Sequence, residues 1–253
     1  MADVFFREVN HANLEDYDRA VRSFTWDSVN SQFRWSETGR VNLAYEAIDR
    51  HVEDGHGDDV ALYYKDNQRQ ETYTFYQMLA LTNRFANVLR GLGIQKGDRV
   101  FLLMPRSPEL VIALFGTLKV GAIAGPLFEA FMTDAVRDRL RDSGASAVVT
   151  TPALQDRIAT EDLPELKHVI LVGQGVEKEV EEGNLHVSYN RRMQSASDDT
   201  AIEWVDLEDP MYIFYTSGST GKPKGIVHVH NDMVHQYQAA YRLASHGPRS
   251  LEQ

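Results

Sequence analysis

No cysteine occurs anywhere in the chain. Disulfide staples, thiolate metal sites and cysteine nucleophiles are therefore excluded, and the composition agrees with a reducing compartment, so a cytoplasmic location is the default expectation. A surplus of positive charge is missing too: 26 Lys and Arg stand against 37 Asp and Glu, for a formal net charge of −11. Such a field repels nucleic acid and anionic lipid, so neither is expected as a partner, and any anionic ligand needs a local device to hold it. Residues 1–8 carry acidic side chains and no sustained apolar run, so no secretory signal or transit peptide is expected. A long unbroken apolar run is also absent. Residues 110–128 come closest, but Lys119, Gly121, Gly125 and Pro126 divide them, and they read as a buried helix followed by a buried strand, not a membrane span.

What is present suffices for a packed core: 253 residues, 43% hydrophobic and 10% aromatic, enough for one large domain or two modest ones. The first sixty residues are polar and aromatic, with Leu43, Ala47, Ile48 and His51 at helical spacing. Trp26, Trp35, Phe24, Phe33 and Tyr45 read as packing residues of this extension in preference to a ligand platform. Beyond it, strands are expected at 60–64 and 71–73. Thr74 and Gln77 have capping-box spacing ahead of a helix that Gly91 and Gly93 end. The uninterrupted apolar run at 100–104 suits a strand covered on both faces, and Ser107 with Pro108 launches a helix that Gly121 stops. Further strands are expected at 122–124, 147–151, 168–172, 211–215 and 226–230, with Thr133 capping a helix to about 141. This alternation predicts an α/β fold, doubly wound, with a mostly parallel sheet flanked by helices. Residues 173–209, acidic and polar, read as a solvated excursion.

The tract Thr216-Ser217-Gly218-Ser219-Thr220-Gly221-Lys222-Pro223-Lys224-Gly225 lies between two of those strands. Its hydroxyls, its glycine amides and its two ammonium groups are the parts of a polyphosphate cradle: directed donors, close backbone approach and local positive charge. A Walker A loop is excluded by spacing, since Gly218 and Gly221 enclose two residues and Pro223 follows Lys222. The bland reading is a flexible Gly/Ser surface loop, which the flanking apolar strands disfavour. His228, His230 and His235 suggest a metal cluster at first sight, but no Cys or suitably spaced carboxylate completes one, and no metal site is expected. Arg106 sits where α/β ligands usually bind, or pairs with Glu109 at the surface.

The stretch YTSGSTGKPKGIVHVH at 215–230 resembles the phosphate-binding signature of the adenylate-forming superfamily: acyl-CoA synthetases, luciferases and the adenylation domains of peptide synthetases. AYEAIDRH from Ala44, TYTFYQMLALTNRFANVLRGLGIQKGDRV, MPRSPEL from Met104 and GAIAGPLFEAF from Gly121 are similar, in order, to segments of bacterial acetyl-CoA synthetases. The likeness runs from about residue 23 to 241 and stops after Leu243. It implies an ATP-dependent acid–CoA ligase, AMP-forming, with ATP, Mg²⁺ and coenzyme A as cofactors and acetate or a similar small carboxylate as substrate. Thr216, Ser217, Gly218, Ser219, Thr220, Gly221 and Lys224 would hold the β- and γ-phosphates. It also implies a layout of an N-terminal wrapping extension at 1–58, an incomplete N-terminal adenylate-forming domain at 59–244 and an unmatched tail, read as disordered, at 245–253. The remaining family segments would lie beyond Gln253, so the chain alone is expected to be an inactive fragment. The alternative is a non-catalytic ATP- or pyrophosphate-binding module acting with a partner. The segment matching Phe128-Glu129-Ala130 lies near coenzyme A in longer relatives; here Glu129 either faces that cofactor or merely precedes the Thr133 helix.

Overall fold

A computed structural model of the chain describes residues 17–176, 185–216, 221, 223–233 and 236–237. They fall into two units, one within Met1–Gly39 and Asn231–Gln253, the other Arg40–His230. In the first, α1 (Tyr17–Ser23), α2 (Trp26–Asn30) and α3 (Trp35–Thr38) are short. The Thr25 hydroxyl accepts a hydrogen bond from the Ser28 amide and so caps α2. Phe33 stacks on Trp35 at 4.0 Å and meets the edge of Tyr237, while Phe24 meets Trp26. Phe33 and Trp35 are buried; Trp26 is exposed.

The second unit opens with a π-helical turn, Tyr45–Asp49, running into α4 (Arg50–Glu53). An antiparallel pair follows, β1 (Val60–Lys65) with β2 (Gln70–Thr74). The main sheet holds β3 (Arg99–Leu103), β4 (Ile123–Leu127), β5 (Ala147–Thr150), β6 (His168–Leu171), β7 (His186–Ser188), β8 (Pro210–Thr216) and β9 (Lys224–Val229), in the order β7-β6-β5-β3-β4-β8-β9. Every neighbouring pair is parallel except β8 with β9. Its helices are α5 (Phe75–Gly91), α6 (Pro108–Lys119), α7 (Thr133–Ser143), α8 (Pro152–Gln155) and α9 (Tyr189–Ser195).

The local signals act as the sequence suggests. Thr74 accepts from the Gln77 amide while the Gln77 side chain accepts from the Thr74 amide, so two otherwise orphaned donors at the start of α5 are satisfied. Ser107 caps α6, with Pro108 at its first position. The apolar run at 110–128 divides as expected into α6 and β4, and among the described residues no helix is long and apolar enough to cross a membrane.

Alternating residues of β3 go to opposite faces, as the pleat demands. Val100 and Leu102 join a cluster with Phe85 and Leu89 of α5 and Ile112 of α6; Phe101 and Leu103 join another with Val136 and Leu140 of α7. A central strand clad on both faces needs apolar residues at every position, which explains the unbroken run. Full burial of each such side chain contributes about 1.5–3 kcal/mol. Gly125 is required on the neighbouring strand, because a Cβ there would lie 2.4 Å from the Phe101 ring.

Three features differ from the sequence reading. Thr133 is the first residue of α7 and not its cap; Met132 holds the cap position, and no side chain bonds there. The acidic excursion contains β7 and α9, with Val187, Tyr189 and Met193 buried. A three-residue strand is too short to show periodicity, so it was invisible among polar neighbours. Finally Lys119, read as an interruption, is fully buried. Its ammonium donates to Asp49 Oδ1 at 2.9 Å and Asn83 Oδ1 at 2.5 Å, joining α6, the π-helical turn and α5. Burial pushes Asp49 up and Lys119 down, against the attraction between them.

Candidate phosphate-binding site

β8 and β9 form an antiparallel hairpin at one margin of the sheet. Its last pair is Thr216, the first residue of the tract, with Lys224, the last lysine in it. Pairing brings the hydroxyl-bearing and ammonium-bearing parts of the tract to one place, although they are eight positions apart in the chain. Both are exposed. Lys224 forms no ion pair among the described residues, so its charge is not neutralised by a neighbouring carboxylate. Gly221 is exposed with φ 124°, a backbone conformation that side-chain-bearing residues rarely adopt, and a Cβ there would touch none of the described residues. The glycine is thus required by conformation, not by crowding. Ser217, Gly218, Ser219 and Thr220, with Lys222, lie outside the described residues.

β8 runs parallel to β4, so the hairpin turn lies at the carboxyl edge of the sheet. Doubly wound sheets bind ligands at that edge, close to where strand order reverses; here β3 is followed by β4 on one side and β5 on the other. Tyr215, next to Thr216, is anchored by its hydroxyl, 2.7 Å from Asp142 Oδ2 and 3.2 Å from the Arg139 carbonyl of α7. Burial and then the Asp142 hydrogen bond raise its phenol above the ordinary range. A pocket of about 280 Å³ beside it is lined by Asp138, Arg139, Arg141, Asp142, Tyr215 and Pro223.

The turn after β4 reaches the same edge. Phe128 and Met132 are exposed, and Phe131 closes the turn by donating its amide to the Phe128 carbonyl. Arg157 donates to the carbonyls of Glu129 and Phe131. Glu129 is exposed and contributes its backbone to that anchor. Sequence reasoning assigned no role to Arg139, Asp142 or Arg157. Nothing local marks them, because each acts on a residue more than twenty positions away.

A sequence model of the family described as AMP-binding enzyme matches residues 48–251. The chain belongs to the AMP-binding enzyme family. Its phosphate tract lies inside that match, which continues past Leu243, where the likeness of the quoted motifs ends. This AMP-binding enzyme chain is 52% identical over 227 residues to acetyl-coenzyme A synthetase of Bacillus subtilis, a match covering 89% of the chain and 39% of the relative. It is 34% identical to the acetyl-coenzyme A synthetase of Magnetococcus marinus, covering 92% of the chain and 39% of the relative. Among solved structures it is similar to a Brucella canis acyl-CoA synthetase, with a TM-score of 0.78, 26% identity, 89% of the chain and 40% of that protein. An anthranilate CoA ligase in complex with anthranoyl-AMP gives a TM-score of 0.69 at 28% identity, covering 81% of the chain and 37% of that ligase. The chain thus spans about two-fifths of the length of the relatives it matches.

Other candidates in this AMP-binding enzyme chain resolve differently. His228 stacks on Tyr212 at 4.6 Å, and His230 is buried just beyond β9, where burial pushes it down to about 4. His235 lies outside the described residues. Glu109 is bound by Arg69 through two hydrogen bonds, at 3.0 and 3.2 Å, and not by Arg106, which is exposed. Arg69, in the turn before β2, presents its planar fork to the carboxylate, Nη1 to Oε1 and Nη2 to Oε2.

Proposed function

We propose that this chain carries the phosphate-binding part of an acid–CoA ligase of acetyl-CoA synthetase type, AMP-forming and working in the cytoplasm. One observation carries the reading: Thr216 and an unneutralised Lys224 close a hairpin at the carboxyl edge of a doubly wound sheet, with Gly221 in a glycine-favouring conformation between them. The residues fit a polyphosphate. Lys224 offers a charge, Thr216 a hydroxyl and Gly221 an amide with no side chain in the way; Ser217, Gly218, Ser219 and Thr220 complete the donor set in this reading.

The reaction would join acetate, or a similar small acid, to coenzyme A. The carboxylate oxygen attacks the α-phosphorus of ATP, the bond from α-phosphorus to the bridging oxygen breaks, and pyrophosphate leaves. The coenzyme A thiol then attacks the acyl carbon and AMP departs. Mg²⁺, if brought with ATP, would neutralise part of the phosphate charge. The contribution of this chain is to hold the departing β- and γ-phosphates, so that charge developing on the leaving group meets fixed donors.

The test is acetate-dependent release of pyrophosphate from ATP, with ATP binding followed in parallel by calorimetry. Loss of one charge-assisted contact in Lys224→Ala should weaken ATP binding about tenfold to a hundredfold. Release that requires acetate and falls in the variant supports a ligase. Lys224-dependent binding without release supports instead a non-catalytic ATP- or pyrophosphate-binding module that works with a partner. No binding, or binding indifferent to Lys224→Ala, overturns the phosphate assignment.

A further inference from the structure

Arg139 is a buried cation without a carboxylate. It is 7% exposed, its Nη1 donates to the Ala135 carbonyl within its own helix, and its Nε, also buried, has no hydrogen-bond partner. No salt bridge offsets its charge among the described residues. An arginine so placed costs several kcal/mol unless something else stabilises the guanidinium. Two aromatic rings do so. Its Cζ lies 4.1 Å from the centroid of Phe131 and 5.6 Å from that of Tyr215. Both distances fall within cation–π range, and desolvation strengthens the attraction.

The two rings belong to different working parts. Phe131 closes the turn after β4, whose backbone Arg157 also grips. Tyr215 directly precedes Thr216 and faces Gly225 across the hairpin. It is fixed at its other end by Asp142, one helical turn beyond Arg139 on α7. The geometry points to Arg139 as a positioning residue that clamps the turn at 128–132 to the base of the phosphate hairpin, so that the two hold one relative arrangement. The inference rests on the phosphate reading for its purpose, but the clamp itself is a statement about two segments and one side chain.

It follows that loosening either ring should be felt at the other. Hydrogen exchange read by mass spectrometry on the whole chain tests this with Arg139→Met, which keeps an unbranched apolar stem but removes the guanidinium and its charge. Exchange should accelerate about tenfold at both 128–132 and 212–216, while α5 stays unchanged. Phe131→Leu buries no new polar group and guards against a variant that fails to fold; it should accelerate exchange at 212–216, more than eighty positions away in sequence. Arg139→Lys, which cannot stack a planar group between the rings, should fall between wild type and Arg139→Met. Acceleration confined to one segment, or no change at 212–216 in Phe131→Leu, overturns the clamp. Pyrophosphate titration of the same proteins separates this from the functional reading. With the clamp in place, Arg139→Met should bind about tenfold more weakly than wild type, and equal affinity sinks the positioning role. If wild type binds no pyrophosphate, the phosphate reading fails, whereas the clamp is still decided by exchange.

Discussion

β3 and β9 carry comparable apolar runs, RVFLL and KGIVHV, but lie in opposite environments. Residues 100–103 of β3 are no more than 1% exposed, whereas Ile226 and Val227 of β9 are 44% and 52% exposed. Composition contributes, since β9 also holds Lys224, Gly225 and His228, but Ile226 and Val227 are as apolar as the residues of β3, and position in the sheet decides their exposure. β3 lies between β4 and β5 with helices on both faces, and β9 closes the margin as the partner of β8 alone. Stability should therefore reside in the parallel centre, leaving the margin free to present exposed donors to a ligand.

The comparison can be broken most severely at Lys119. Lys119→Ala leaves Asp49 buried without its cation and should destabilise the chain by about 3–5 kcal/mol, read from urea denaturation. Loss below about 1 kcal/mol would mean that the centre does not depend on its buried pair. A more direct contrast sets Leu102→Ala against Val227→Ala. The first removes a fully enclosed side chain and should cost about 2–5 kcal/mol; the second should stay within about 0.5 kcal/mol. Equal costs would sink the distinction between centre and margin.

His230 sharpens the comparison, because there the end of the hairpin behaves like the core. Its pKa of about 4 lies below the ordinary histidine value of 6.5, so the unfolded chain takes up the proton first. Stability is complete above pH 6.5 and declines as pH falls through the window to 4, by about 3 kcal/mol once the folded protein is also protonated. Burial lowers His51 and His168 as well, and they act with the same sign. Urea midpoints at pH 7, 5.5 and 4 should show the decline, and His230→Asn should flatten it; an unchanged slope would relocate the effect to the other histidines.

Much of the fold was legible because its signals are local. The Thr74–Gln77 capping box and the Ser107–Pro108 start of α6 each act over three residues or fewer, and the structure shows both. The tract read as a phosphate cradle stood out by its Ser, Thr, Gly and Lys content between two apolar strands, and the structure pairs Thr216 with Lys224. Thr133 misled because a threonine ahead of a helical pattern looks the same whether it stands at the cap or one residue inside. β7 escaped notice since three residues do not establish a period.

The sequence by itself determined the capped starts of α5 and α6, the doubly wound alternation, the long apolar strands of the sheet and the family resemblance. Each follows from spacing within a few residues, which no later contact can rearrange. Only the tertiary structure decided that Lys119 meets Asp49 and Asn83, that Arg139 stands between Phe131 and Tyr215, and that two similar apolar strands differ in exposure. Such partners are chosen by the path of the chain. Lys119 and Asp49 are 70 positions apart, and charge, burial and ring geometry act on them only after the sheet has brought them together.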